Sequence, residues 1–163
     1  MICNRDTLLR LAPITDMRAL KLRDHGVSYG LSEAGYDIRI KQRIRFYRKE
    51  GHISARVDGE IHGDTRFVIA SAIEEFDMPN NLTGVVHDKS TWARRGLSVF
   101  NTVIEPGWKG FLTLELVYHG NTELIIPAGA GIAQVLFHFN SDAAEYTGKY
   151  QNQENAPVPA RES

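Results

Sequence analysis

The stretch GFLTLELVYHG, residues 110–120, places one carboxylate, Glu115, in the middle of an apolar run. Strand alternation puts the even-numbered residues on one face and Glu115 on the other, together with Phe111, Thr113 and Val117. Neither face is polar enough to be a solvated surface, so we expect Glu115 to be buried or half-buried. Burial raises the pKa of a carboxyl group unless a cation compensates it. Two interpretations stay open: a proton-transfer group, or the partner of an arginine on a neighbouring strand.

A second stretch with chemical potential is HDKSTWARRG, residues 87–96. It combines cations and hydroxyl groups in one short loop, namely Lys89, Ser90, Thr91, Arg94 and Arg95. Such donors, together with backbone N–H groups, form the set that binds phosphate. A solvated charged turn is the alternative. Glu105, in VIEPGW, stands at a tight turn, where ordinary turn chemistry is the alternative to a ligand contact.

Zinc-ligand patterns are absent from the sequence. The six histidines, at positions 25, 52, 62, 87, 119 and 138, show no paired spacing and no His-x-Glu pair. The single cysteine, Cys3, leaves no Cys-x-x-Cys motif. The Gly129-Ala130-Gly131 segment lacks the strand–helix context of a dinucleotide-binding loop, so we interpret it as a turn.

Antiparallel strands are expected to position these groups. Apolar or alternating runs predict strands, separated by Gly, Pro and Asn residues, at 36–47, 66–76, 97–104, 111–118, 123–126 and 132–139. Asn4 is expected to cap a short helix that Pro13 ends, and residues 89–95 are the other candidate helix. We expect an all-β domain over residues 1–145, a distorted barrel or jelly roll with few short helices. Residues 146–163 are polar and are predicted to be a tail without a core of its own.

Bulk composition restricts the class of protein. The 163 residues, 42% hydrophobic and 24% charged, fit one globular domain. With 19 Lys plus Arg against 20 Asp plus Glu, the chain has no overall field to attract nucleic acid or an anionic membrane, and we expect neither as a partner. The N-terminal stretch is interrupted by charges and by Pro13, so it is not predicted to be a signal peptide. A cytoplasmic location is the expectation.

In order along the chain, six stretches resemble motifs of the dCTP deaminase family, within the trimeric dUTPase-like superfamily. They are VSYGLSEAGYDIRI (27–40), FVIASAIEEFDMP (67–79), KSTWARRG (89–96), EPGWKGFLTLEL (105–116), AGAGIAQVLF (128–137) and GKYQNQ (148–153). The resemblance covers most of the chain. It implies a dUTPase-like β-barrel that forms a homotrimer with active sites shared between subunits.

The resemblance also implies the chemistry. The implied reaction is zinc-independent, hydrolytic deamination of dCTP to dUTP and ammonia, catalysed by a hydrolase that acts on the C–N bond of a cyclic amidine. It would feed dUMP and thymidylate synthesis. Glu115 is the implied acid–base group, and Ser90 and Arg94 are implied to hold the water and the leaving group.

The implied substrate contacts are spread along the chain. The nucleotide-site loop comprises Lys89, Ser90, Thr91, Trp92, Ala93 and Arg94. Glu105 would accept a hydrogen bond from the deoxyribose hydroxyl, and Thr113 and Leu114 would border the base through backbone groups. The residues implied to hold the triphosphate and close over it are Gln134, Tyr146, Lys149 and Gln153. Residues 146–163 thereby become an active-site lid, and Mg²⁺ would accompany the triphosphate.

Two features depart from the family pattern. The stretch SVFNTV (98–103), where relatives place base-pocket residues, matches poorly, so plain and C5-substituted cytosine both stay open as substrates. The segment 47–66 is compressed. Other functions also stay open: a bifunctional enzyme that releases dUMP and pyrophosphate from dCTP, a dUTPase-like hydrolase, or a non-catalytic nucleotide-sensing module. Glu115 argues against a pure dUTPase, which needs no buried glutamate near the base.

Overall fold

The computed structural model describes residues 1–162. It is 49% strand and 7% helix, which confirms the all-β class. In chain order the elements within this range are β1 (Ile2–Cys3), α1 (Arg5–Leu11), β2 (Lys21–Asp24), β3 (Val27–Leu31), β4 (Tyr36–Arg39), β5 (Ile44–Lys49), β6 (His52–Val57), β7 (Glu60–Gly63), β8 (Phe67–Asp77), β9 (Leu82–Asp88), α2 (Ser90–Ala93), β10 (Leu97–Val99), β11 (Val103–Ile104), β12 (Lys109–Tyr118), β13 (Leu124–Ile126) and β14 (Gly131–Phe139).

The strands form three antiparallel sheets around one apolar core. The seven-stranded sheet has the order β11-β9-β14-β4-β3-β2, with β1 added against β14. The smaller sheets have the orders β10-β12-β8 and β13-β5-β6-β7. All three sheets and α2 contribute large, fully buried side chains to the core, among them Tyr36, Phe46, Phe76, Trp92 and Phe137. No helix within residues 1–162 is long and apolar enough to cross a bilayer.

The three-stranded sheet carries the strand that contains Glu115. β12 pairs with β8 along nearly its whole length, from Lys109 opposite Asp77 to Val117 opposite Phe67. β10 pairs only with the last part of the opposite edge, between residues 116 and 118 of β12. The rest of that edge therefore has no full strand partner, a condition that opens space beside β12.

The predicted strand 36–47 is wrong as a single element. β4 ends at Arg39 in the seven-stranded sheet, and β5 begins at Ile44 in the four-stranded sheet. Between them the chain turns a corner at β8, where the side chain of Gln42 accepts a hydrogen bond from the Ser71 N–H at 2.8 Å. The apolar alternation continues through the corner because both flanking strands face the same core. Sequence periodicity therefore does not show where one sheet ends and the next begins.

The predicted strand 97–104 is also divided. β10 pairs with β12, whereas β11 pairs with β9 in a different sheet.

The two helices are present but short. Asn4 takes the N-cap position of α1 without forming a side-chain cap bond, so the predicted cap is wrong, and its amide instead donates to the carbonyl of Glu33 at 2.9 Å. The predicted helix 89–95 is reduced to the single turn α2.

The C-terminal tail follows the last strand and lies against the body of the domain. The described part contains no helix or extended strand, and the last residue of the predicted tail, Ser163, lies outside the described residues. One isolated parallel bridge joins Gln153 to Gly110 in β12. Lys41 also holds the tail by donating to the Asn155 carbonyl at 2.8 Å. The tail thus has fixed contacts although it has few apolar side chains.

Candidate active site

A cavity of about 710 Å³ opens beside the uncovered edge of β12. This volume suits a small-molecule ligand. Its walls are formed by β12, the start of β8, the segment 101–105 and residues 158–160 of the tail. Several of the predicted site residues line it, namely Glu105, Thr113, Glu115, Tyr146 and Gln153.

A register shift between β12 and β8 lies beside this cavity. Pairing passes from Phe111 opposite Glu75 to Thr113 opposite Ser71, so the single residue Leu112 stands opposite residues 72–74, and the extra residues belong to β8. Leu112 lines the cavity together with Thr113 and Glu115, although strict alternation predicts it on the opposite face. Leu114 is fully buried and does not line the cavity. The shift cannot be read from the uniform apolar pattern of β12, because the extra residues lie in β8.

Glu115 is half-buried in the wall of the cavity. Burial raises the pKa of its carboxyl group above the ordinary value, and a hydrogen bond from its own backbone acts weakly in the opposite direction. Within residues 1–162, no Lys, Arg or His nitrogen lies within 4.0 Å of this carboxylate. The interpretation of Glu115 as the partner of a cross-strand arginine is therefore wrong for the single chain. A half-buried carboxyl group with a raised pKa in a cavity wall is a candidate for proton transfer.

Asn101 is a cavity residue that the sequence does not single out. Its amide Nδ2 donates to the Thr113 carbonyl at 2.8 Å, and its Oδ1 accepts from the Glu115 N–H at 3.2 Å. Both contacts are to the uncovered edge of β12. Nothing in the local pattern of residues 98–103 predicts them, because the partners are more than ten positions away along the chain.

The tail closes one side of the cavity through polar contacts. The Thr113 hydroxyl accepts hydrogen bonds from Gln153 Nε2 at 2.5 Å and from the Val158 N–H at 3.1 Å. The indole Nε1 of Trp108 donates to the Tyr150 carbonyl at 2.7 Å. Tyr146 is half-buried against the core. The sequence points to Gln153 and Tyr146 but misses Trp108, Tyr150 and Val158 as cavity residues.

Two further predicted residues, Lys89 and Gln134, meet at Asp37 on the seven-stranded sheet, outside the cavity. Lys89 Nζ lies 2.5 Å from Asp37 Oδ2 and donates to Ser28 Oγ at 2.9 Å. Gln134 Nε2 donates to Asp37 Oδ1 at 3.2 Å and to Ser32 Oγ at 2.9 Å. Asp37 is almost fully buried, so it accepts these contacts away from water. The sequence does not predict this central role for Asp37.

The loop that follows Lys89 is held by a tryptophan. Trp92 is buried, and its Nε1 donates to the Gly131 carbonyl at 2.7 Å. Ser90, Ala93 and Arg94 are exposed, as is Arg95, which stacks over the Trp92 ring with its guanidinium carbon 5.2 Å from the ring centroid. Lys149, in the tail, is also outside the cavity and donates to the Arg161 carbonyl. A single chain therefore does not bring all of the predicted residues together at the cavity.

The donor set gives no dedicated metal cage. Within residues 1–162, no group of three or more His, Cys, Asp or Glu side chains is arranged to hold a metal ion. A magnesium ion brought by a polyphosphate ligand does not require such a cage, because it is bound mainly by phosphate oxygens and water.

The raised pKa of Glu115 has a consequence for stability. A carboxyl whose folded pKa exceeds its unfolded value of about 4.3 stabilises the fold only while it is protonated, and that contribution is lost as pH rises through the folded pKa. Glu115→Gln is therefore expected to gain thermal stability relative to wild type as pH increases from about 4 to 7. Thermal unfolding of both proteins across this range measures the difference. A constant offset at every pH would contradict the raised pKa.

Comparison with known proteins shows the family to which the chain belongs. The family model described as dCTP deaminase-like matches residues 14–140. The dCTP deaminase of Chlamydia trachomatis serovar L2 is 36% identical over 152 residues, covering 82% of this chain and 80% of the relative. The dCTP deaminase of Campylobacter curvus is 36% identical over 151 residues, covering 82% and 81%.

A solved structure of native EIAV dUTPase shares the fold. It superposes with a TM-score of 0.53 at 18% identity, covering 85% of this chain and 95% of that one. At this identity the likeness concerns architecture alone, and it confirms the dUTPase-like barrel predicted from the motifs. The family match over residues 14–140 and the relatives at 36% identity show that the chain belongs to the dCTP deaminase-like family.

Proposed function

We propose that this protein is a dCTP deaminase, which converts dCTP and water to dUTP and ammonia. The observation that carries the proposal is Glu115: a half-buried carboxylate with a raised pKa, facing a nucleotide-sized cavity without a cation from its own chain. Membership of the dCTP deaminase-like family supports the same activity. The direct experiment is to incubate the protein with dCTP and Mg²⁺ and to resolve dUTP, dUMP, pyrophosphate and ammonia.

The chemistry needs one group that first accepts and then donates a proton. Glu115 takes a proton from water as the oxygen attacks C4 of cytosine, and it delivers that proton to the ring nitrogen N3. Glu115 then takes the proton of the new C4 hydroxyl and passes it to the amine, so that the C4–N bond breaks, ammonia leaves and the C4 carbonyl of uracil forms. A carboxylate with a raised pKa is a stronger base and still releases its proton, which suits both steps.

The second half of the site is proposed to come from another subunit of a homotrimer. Ser90 and Arg94 are exposed and do not line the cavity of their own chain, whereas Glu115 lacks a cation there. If Arg94 of a neighbouring subunit reaches the cavity, its contact with Glu115 explains both the exposure of Arg94 in its own chain and the missing cation at Glu115. Arginine can hydrogen-bond the attacking water and the carboxylate together through its planar fork.

The substrate contacts follow the same division. Glu105 is proposed to accept from the deoxyribose hydroxyl, while the backbone at Thr113 and Leu114 borders the base. The phosphate-binding set would combine the loop from Lys89 to Arg94 with four residues: Gln134, Tyr146, Lys149 and Gln153. Because Lys89 is paired with Asp37, it contributes less net charge to phosphate than Arg94. Magnesium would be held by the triphosphate and would screen its charge.

The tail is proposed to act as the lid of the site. Gln153 and Val158 hold the Thr113 hydroxyl at the cavity wall, so access to Thr113 from this side requires the tail to move. These contacts are polar and exchangeable with water.

A cytoplasmic location is part of the proposal and is supported by a single cysteine, Cys3, which is buried and has no disulfide partner.

A bifunctional enzyme that also releases dUMP and pyrophosphate is the second candidate. Such hydrolysis needs an aspartate that activates water beside the phosphates, and Asp37 lies next to the proposed phosphate loop. Its oxygens, however, already accept from Lys89, Ser28 and Gln134. This saturation favours simple deamination. Detection of dUMP and pyrophosphate in place of dUTP would favour the bifunctional enzyme.

Glu115→Gln is expected to lower deamination by at least about 100-fold, since glutamine keeps the shape of glutamate but cannot shuttle a proton. Binding of dCTP should persist. Ammonia release measures turnover, and titration calorimetry with dCTP measures binding. Near-normal turnover in this variant would remove Glu115 from the mechanism.

Shared active sites predict complementation between inactive subunits. Arg94→Ala and Glu115→Gln should each be inactive alone. Doubly tagged trimers isolated after co-expression of both chains should recover about one third of wild-type activity, because each mixed trimer has a single interface that joins an intact Glu115 to an intact Arg94. Arg95→Ala is the matched control and should retain activity by itself. Doubly tagged trimers as inactive as their parents would contradict a site shared in this way.

Removal of residues 147–163 spares the half-buried Tyr146 and tests the lid. We expect KM for dCTP to rise by roughly tenfold or more, since hydrogen bonds to charged phosphate are lost, and turnover to fall. The far-ultraviolet spectrum and the trimeric mass should not change. Glu154→Ala, an exposed substitution within the tail, serves as the control. Unfolding of the truncated chain would show that the tail is structural and would contradict the lid.

A further inference from the structure

The ladder between β10 and β12 stops one residue short of the cavity. Strand pairing ends with Val99 opposite Leu116. One more backbone bond follows, from the Phe100 N–H to the Glu115 carbonyl at 2.7 Å. The chain then departs toward β11, which pairs with a different sheet. Farther along this edge the Phe111 N–H donates to the Gln153 carbonyl of the tail, but within residues 1–162 no backbone group bonds the Thr113 carbonyl or the Glu115 N–H.

The Asn101 side chain continues the ladder where the backbone leaves it. A carboxamide has the same donor and acceptor pair as a peptide group. Its Nδ2 bonds the Thr113 carbonyl and its Oδ1 bonds the Glu115 N–H, at 2.8 and 3.2 Å. One side chain thus serves two backbone groups on either side of Leu114. It replaces the missing strand residue at the cavity wall.

Both backbone groups of Glu115 are consequently held at one edge of β12. Its carbonyl is fixed by Phe100 and its N–H by Asn101, while no cation within residues 1–162 fixes its carboxylate. The direction of the carboxylate therefore depends on the position of this short piece of β12. On the opposite edge β8 pairs with it, but the register of that ladder shifts nearby, between Phe111 and Thr113, where β8 has extra residues.

We infer that Asn101 is a positioning residue for the acid–base group Glu115. By closing the edge of β12 with its carboxamide, it fixes the backbone from which the reactive carboxylate extends. The inference rests on the proposed deaminase function for its kinetic consequence, whereas the hydrogen bonds themselves do not depend on it. Misplacement of a reacting group by about 1 Å is enough to lower a rate on the order of 100-fold.

The test compares Asn101→Ala, Asn101→Asp and the matched control Asn121→Ala, which removes an exposed amide that accepts from Arg66. For Asn101→Ala we expect kcat for dCTP to fall by about 10- to 100-fold with little change in KM. Hydrogen exchange at the Glu115 N–H should accelerate, because its acceptor is gone. Asn121→Ala should match wild type in both measurements.

Asn101→Asp keeps the acceptor for the Glu115 N–H and has the same size, so it remains informative if the alanine variant does not fold. The new carboxylate disfavours ionisation of Glu115 and raises its pKa. Because the reaction begins with ionised Glu115, the acid limb of the pH–rate profile should move to higher pH. An unchanged acid limb would place residue 101 too far from Glu115 for the proposed role.

The outcomes separate the inference from the function on which it rests. A wild-type protein that leaves dCTP unchanged would overturn the deaminase function, while faster exchange at Glu115 in Asn101→Ala would still support the clamp. An active wild type with an equally active Asn101→Ala would overturn the inference alone. A change in KM without a change in kcat would also overturn it, because it would mean that Asn101 contacts the base rather than positioning the catalytic group.

Discussion

The desolvation of Glu115 without a cation from its own chain is the constraint on which the site depends. A carboxylate removed from water must be protonated, hydrogen-bonded or paired, and otherwise it destabilises the fold. Here the free-energy cost of desolvating the Glu115 carboxylate is offset by the pairing of β8 with β12 and by the burial of the neighbouring Leu114 and Leu116 side chains. The same desolvation raises the pKa of the carboxyl group toward the range in which proton transfer is efficient. Stability and reactivity are therefore set by one interaction.

The two groups of predicted site residues differ in charge. The cavity wall carries the carboxylates of Glu105 and Glu115, whereas the loop after β9 exposes Arg94 and Arg95. Lys89 does not add to the exposed charge because Asp37 neutralises it within the chain. In the proposed trimer the acidic wall of one copy meets the cationic loop of another, and complementary charges of this kind select the correct register between copies. Assembly would then supply the counter-charge that Glu115 lacks in the single chain.

Local patterns in the sequence predict local features of this fold well. The apolar run around residue 115 predicts both the strand and a buried carboxylate, and ordered motifs predict the barrel. What depends on distant partners is not predicted. The strand 36–47 is divided because its corner is made against Ser71, and the register shift at Leu112 depends on extra residues in β8, the strand that pairs with it. Asn101 and Asp37 have their roles through residues far away in sequence, and neither stands in a pattern that marks it. Without the resemblance, Gln153 would be one polar residue among many in the tail.

The tail shows how a segment without an apolar core can be ordered and still suited to opening. Its attachment to β12 consists of hydrogen bonds such as Phe111 N–H to the Gln153 carbonyl at 3.0 Å and the pair that Thr113 accepts. Each such bond contributes about 0.5–1.5 kcal/mol net, because water replaces the partner when it breaks. A lid fixed by a few of these bonds opens at a cost of a few kcal/mol, whereas one anchored by buried leucines would cost several times more. The polar composition of residues 147–162 therefore suits the proposed lid, which would have to open to release a charged product.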